Sequence, residues 1–128
     1  MLLGIGTDIV QVARLQGLWA RQGDRALVRL LAPGEIDAAR AHAEIGRFLA
    51  KRFAAKEAFA KAMGTGIRGV VGFASIEVIH DALGKPAFEF HGPLREKMAE
   101  LGARAHLSLS DEQEYVVAFV VIEQLLTS

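Results

Sequence analysis

The chain has 128 residues, no net formal charge, 52% hydrophobic and 23% charged residues, and no cysteine. That length suits a single domain, 1–128, able to bury a core unaided; the composition excludes a disordered chain, and no apolar run reaches the roughly 18 residues of a membrane span. Without cysteine there is neither a disulfide framework nor a cysteine-ligated metal, which suits a cytoplasmic location.

Charge is unevenly distributed. Residues 1–61 carry ten Lys/Arg against six Asp/Glu, and residues 62–128 carry five against nine. The even total excludes a general nucleic-acid binder and leaves room for a local basic site facing an acidic partner. Residues 1–10 hold no basic cluster, so they do not read as a signal peptide.

Residues 2–10 read as a strand, with Leu3, Ile5, Thr7 and Ile9 on one face and Gly4, Gly6, Asp8 and Val10 on the other. The two glycines are expected to leave open space beside Asp8. A helix from Gln11 to about Arg21 turns Val12, Leu15 and Trp19 inward, and Arg14, Leu18 and Arg21, extended by Arg25, form a second face. Gly23 breaks it, and short helices follow over 24–31 and 34–43 around Pro33.

Residues 45–63 form the strongest helical segment, free of proline and closed by Gly64. Its apolar surface wraps most of the way round, which predicts burial, so its charges Lys51, Arg52, Lys56, Glu57 and Lys61 need partners. A glycine-rich stretch follows over 64–72, then a hairpin over 75–80 and 87–91 and a helix starting at Pro93 and ending at Gly102. Two final strands cover 105–110 and 115–122, the last apolar on both faces and therefore central. The order implies an α+β fold, a mostly antiparallel sheet packed against the long helix.

Asp8 and Glu57 are carboxylates on otherwise apolar, rigid elements. One or two carboxylates completed by water and phosphate oxygens are the Mg²⁺ pattern. The plainer alternative is that Asp8 caps the following helix and Glu57 pairs with Lys61 one turn on. Arg52, Lys56 and Lys61 precede Gly64-Thr65-Gly66 and could clamp a phosphate, with Gly64 and Gly66 allowing close backbone approach, or could simply complement the helix dipole. The Arg14/Leu18/Arg21/Arg25 face could dock an acidic helix or stand solvated. His106 lies with Ser108 and Ser110 on a polar strand face, and no HxxxH pairing of histidines suggests zinc.

GIGTDIVQVARL (4–15) and RFLAKRFAAKEAFAKAMGTGI (47–67) resemble the two signature segments of the holo-acyl-carrier-protein synthases, the small bacterial class of 4′-phosphopantetheinyl transferases. LGKP (83–86) and HLSLSDE (106–112) are similar to that family's later motifs, in the same order. The resemblance implies transfer of 4′-phosphopantetheine from coenzyme A to a serine of apo acyl carrier protein, with Mg²⁺ required and 3′,5′-ADP released.

It also implies roles for individual residues. Asp8 and Glu57 would be metal ligands and, with Lys61, the catalytic groups. Lys61 would contact the coenzyme A phosphates, while Arg52, His106 and the Gly84-Lys85-Pro86 turn would lie near the 3′-phosphoadenosine end. Arg14, Leu18 and Arg21, with Arg25, would receive the carrier protein's acidic helix. The family implies a homotrimer with active sites between subunits, no nucleic acid and no membrane partner, and a place in fatty acid biosynthesis. Ser110-Asp111 departs from it: a Thr-His or Ser-His pair is frequent there. Two other functions fit the residues alone, a metal-dependent phosphohydrolase using Asp8 and Glu57 and a non-catalytic small-molecule-binding regulator; the long-helix motif favours the transferase.

Overall fold

The 19-residue helix α4 (Ile45–Met63) is the axis of the molecule, which a computed structural model describes over residues 1–125. Its bounds are those the sequence predicts. Gly64 ends it with φ of 79°, a conformation an L side chain rarely adopts. Leu49 and Phe59 are fully buried, as are five alanines between residues 50 and 60 at zero exposure. Each large apolar side chain so buried contributes about 1.5–3 kcal/mol.

Ahead of α4 come β1 (Leu2–Gln11), α1 (Val12–Gln22), α2 (Asp24–Leu30) and α3 (Pro33–Ala41). Behind it come a 3₁₀ turn (Phe73–Ser75), β2 (Ile76–His80), β3 (Pro86–Phe90), α5 (Gly92–Leu101), β4 (Ala103–Asp111) and β5 (Tyr115–Gln124). The strands form two antiparallel sheets, a three-stranded one in the order β1-β5-β4 and the β2–β3 hairpin. β5 is central, as its apolar composition requires: Val116, Ala118, Val120 and Ile122 all face the core. No helix is long and apolar enough to cross a membrane among the described residues.

One expectation about β1 is corrected. Gly4 and Gly6 do leave room on the face they share with Asp8, but that room is not open. A methyl at Gly4 would overlap the Ala62 carbonyl, and one at Gly6 would overlap the Ala58 carbonyl and come within 2.7 Å of Ala62 N. The backbone of α4 fills the space, so glycine here permits strand and helix to approach more closely than any side chain would allow.

Two other contacts set the frame. Gln16 on α1 accepts the Gly46 N–H at 3.1 Å and ties α1 to the start of α4. Phe59 packs its ring against Phe88 and Phe90 of β3, with centroids 5.4 and 4.8 Å away, and so seats the hairpin on α4.

Candidate active site

The register of β1 and the close approach of α4 bring Asp8 and Lys61 together across 53 residues of sequence. The Lys61 ammonium donates to Asp8 Oδ1 at 3.1 Å and to the Thr7 carbonyl at 2.9 Å. Glu57 lies one turn before Lys61 on α4, close enough to Asp8 to feel its charge. Burial, then the Asp8 charge, push the Glu57 carboxyl above the usual glutamate range, against smaller opposing effects of Lys61 and Arg14.

The plainer alternatives do not hold. Asp8 does not cap α1, whose N-cap Gln11 makes no side-chain cap hydrogen bond, and Lys61 hydrogen-bonds to Asp8 across the fold.

Asp8 Oδ2 is buried and has no hydrogen-bond partner among the described residues. A buried carboxylate oxygen left unsatisfied is expensive, on the order of 1–3 kcal/mol or more for a charged group. The orphaned oxygen, a second carboxylate whose own ionisation Asp8 opposes, and the hard-oxygen character of both fit a Mg²⁺-sized ion between them.

The three cations expected near the phosphates separate. Lys61 remains half exposed beside Asp8. Lys56 is withdrawn completely, at 0% exposure, and bonds to Glu35 and two carbonyls, so it takes no part in a phosphate clamp. Arg52 is buried, its Nε 3.0 Å from Glu35 Oε2 and its guanidinium 4.3 Å over the Phe48 ring. Its charge is also felt at His80, at the foot of the hairpin, where burial first and then Arg52 and Lys51 lower the imidazole's pKa.

Lys85, Pro86 and His106 do meet, although 20 residues separate the second from the third. With Asp81, Phe88 and Phe90 they line a cavity of about 380 Å³ between the hairpin and β4. A neighbouring cavity of about 360 Å³ continues past His106 and Ser108 to Phe119 on β5. His106 Nε2 lies 2.8 Å from Glu123 Oε1, a bond that lowers the Glu123 pKa. Asp81 Oδ1 accepts the N–H groups of Leu83 and Lys85, both at 2.9 Å, and so fixes the turn carrying Gly84, Lys85 and Pro86. Gly64 and Gly66, both at positive φ, follow Lys61 directly.

Arg14 reaches α4 from α1. Its guanidinium lies 5.2 Å from the ring centroid of Phe53, one turn before Glu57. Arg21 shares α1 with it, Leu18 packs partly into the core, and Arg25 lies beyond the Gly23 break on α2. Asp111, where the sequence departs from the pattern it otherwise resembles, has a structural use: it receives Arg47 at 2.5 Å and Lys51 at 3.7 Å.

Glu35, which motif reading passed over, is the buried partner of both Arg52 and Lys56. The signal available was the rule that charges on a buried helix need partners, together with an acid in the first turn of a proline-started helix. The fold also gathers Glu77, Glu89 and His91, with ligand atoms within 4.8 Å of one another, in a set that no sequence spacing announced.

The sequence profile of the 4′-phosphopantetheinyl transferase superfamily matches residues 4–120. The holo-[acyl-carrier-protein] synthase of Dechloromonas aromatica (strain RCB) is 58% identical over 123 residues, covering 96% of this chain and 98% of that protein. The crystal structure of the Neisseria meningitidis holo-[acyl-carrier-protein] synthase superposes with a TM-score of 0.92 at 49% identity, over 96% of this chain and 99% of that one. A Bacillus anthracis holo-(acyl-carrier-protein) synthase in complex with CoA (3′,5′-ADP) matches with a TM-score of 0.82 at 36% identity, over 98% and 99% of the two chains.

Proposed function

The chain belongs to the 4′-phosphopantetheinyl transferase superfamily, among its holo-[acyl-carrier-protein] synthases, and from that premise we propose that it moves the 4′-phosphopantetheine of coenzyme A to a serine of apo acyl carrier protein, using Mg²⁺. The observation that carries the metal part of the reading is the buried Asp8 Oδ2, unpartnered among the described residues, with Glu57 close enough for the Asp8 charge to oppose its ionisation.

The chemistry follows from charge. Coenzyme A presents a pyrophosphate and a 3′-phosphate. The serine Oγ attacks the β-phosphorus, a new P–O bond forms, and the bond from that phosphorus to the bridging oxygen breaks, with its electron pair leaving on 3′,5′-ADP. Asp8 and Glu57 would hold Mg²⁺, which supplies charge neutralisation to the pyrophosphate oxygens. Lys61, held at Asp8 and half exposed, adds a positive charge where the leaving group gains a negative one. The serine must lose its proton as it attacks, to the Glu57 carboxylate or to a water that the metal would hold.

Lys85, Pro86 and His106 take the 3′-phosphoadenosine end in the cavity between hairpin and β4, with Arg52 adding charge from the foot of the hairpin. Gly64 and Gly66 let the backbone after α4 approach the ligand. The acidic helix of the carrier protein docks on Arg14, Leu18, Arg21 and Arg25, next to the turn of α4 that precedes Glu57.

A homotrimer is part of the same reading. The outer face of the β1-β5-β4 sheet exposes Ile5 at 61%, Ile9 at 63% and Phe119 at 45%, a contiguous apolar surface unusual on a monomer. The second cavity runs from His106 onto that face, so a subunit packed there would close the site. The substrates keep the enzyme in the cytoplasm, in fatty acid biosynthesis.

Incubating the protein with coenzyme A, Mg²⁺ and an apo carrier protein tests the reaction. Mass spectrometry is expected to show the carrier gaining one phosphopantetheine; hydrolysis of coenzyme A with no gain on the carrier would replace the transferase by a phosphohydrolase.

A further inference from the structure

One charge on α4 has no part in the transfer. The Lys56 ammonium donates to Glu35 Oε1 at 2.5 Å, the Leu30 carbonyl at 2.9 Å and the Phe73 carbonyl at 3.0 Å. Its three donors are thus matched by three acceptors, drawn from α3, from the last residue of α2 and from the 3₁₀ turn. Glu35 is fully used as well: it accepts the N–H of Ala32 at 2.8 Å and of Val78 at 3.0 Å, and faces Arg52 Nε. Five elements converge on these two side chains.

A buried pair this well satisfied resists displacement, because pulling one partner away strands an uncompensated charge. α4 therefore cannot turn about its axis or slide along it without breaking the cluster. Successive residues on a helix project about 100° apart, so pinning Lys56 toward α2 and α3 fixes where Glu57 points. On the other flank, Gly4 and Gly6 let the α4 backbone rest against β1, and there Asp8 meets Lys61.

We propose that the buried Lys56–Glu35 pair positions Glu57, holding α4 at the rotation where Glu57 and Asp8 can share a divalent ion. Lys56 is a positioning residue: it touches neither substrate nor metal and acts through its neighbour on the helix. The proposal rests on the reading that Asp8 and Glu57 are the metal ligands.

The test uses the whole protein and makes two measurements: Mn²⁺ binding by electron paramagnetic resonance with coenzyme A present and carrier protein absent, and Mg²⁺-supported turnover with both coenzyme A and apo carrier protein present. In Lys56→Met, Mn²⁺ affinity and kcat are each expected to fall about tenfold to a hundredfold, the range typical of outer-shell support, while KM for coenzyme A stays within about threefold. E35Q/K56Q removes both charges but keeps amides able to bond; it is expected to behave like Lys56→Met, and it decides the matter if that variant does not fold. A lower melting temperature with Mn²⁺ affinity and kcat within about twofold of wild type would make the pair merely structural and overturn the proposal. Asp8→Asn separates the two readings: if it binds Mn²⁺ as wild type does, the metal assignment fails; if it loses Mn²⁺, only the Lys56 and Glu35 variants bear on positioning.

Discussion

α4 carries a cluster of charges on each of two sides, and the two differ in one respect. On one side Glu35, Lys56 and Arg52 are buried, and every donor of Lys56 and both oxygens of Glu35 are engaged. On the other, Asp8, Glu57 and Lys61 stand at the surface edge, and Asp8 keeps a buried oxygen with no partner. Burial is greater in the first cluster, and among the described residues each cluster keeps one buried atom without a hydrogen bond: Arg52 Nε, which still lies 3.0 Å from the Glu35 carboxylate, and Asp8 Oδ2. An unbonded guanidinium nitrogen within ion-pair distance of a carboxylate has its charge met inside the fold, whereas an unpartnered carboxylate oxygen is met only by something added. Both set an acid from another element against cations of the same stretch of helix, so residue type alone does not distinguish them.

The difference can be broken most directly at the open side. Glu57→Gln and Asp8→Asn are each expected to lower turnover on the order of 10³-fold, comparable to removing a transition-state charge contact, with little change in the melting temperature. Steady-state kinetics at saturating Mg²⁺ beside thermal denaturation checks this; near-normal rates would erase the functional half of the contrast.

Arg14 sharpens the comparison from the rim of the open side. Arg14→Ala is expected to raise the KM for carrier protein about tenfold while leaving that for coenzyme A nearly unchanged, and the gap should narrow as salt is raised, because exposed charges are screened. A salt-independent carrier KM would remove Arg14 from docking.

The closed side gives the smallest effect, and it appears in stability. Burial lowers the pKa of the Lys56 ammonium to about 8 from the 10.5 of an ordinary lysine, although Glu35 opposes the change. Between those two values the unfolded chain binds more protons than the folded one, so stability should rise with pH across this window. Urea denaturation of wild type and Lys56→Met at pH 8 and pH 10 should show the wild type gaining relative to the variant; equal slopes would mean that the Glu35 charge fully offsets burial.

Local pattern made much of this legible. The proline-free apolar run before Gly64 located α4 to the residue, and the alternation of 2–10 placed Asp8 on the face that turns toward α4. Central placement of β5 followed from its two apolar faces. The grouping of Lys56 with Lys61 failed because adjacent segments of one helix face different neighbours, and which neighbour lies where is not written in the helix. The space beside Asp8 was misjudged for the same reason: glycine announces close approach without saying what approaches.

Sequence by itself determined the elements, their order, the family motifs and the presence of acids and bases that needed partners, because propensity, periodicity and caps act over a few residues. Only the tertiary structure decided which charges are saturated: Lys56 finds Glu35 across 21 residues and Lys61 finds Asp8 across 53. Those pairings depend on the angle at which α4 lies between β1 and the α2–α3 segment, and that angle is set by packing, with glycines on one flank and a buried ion pair on the other.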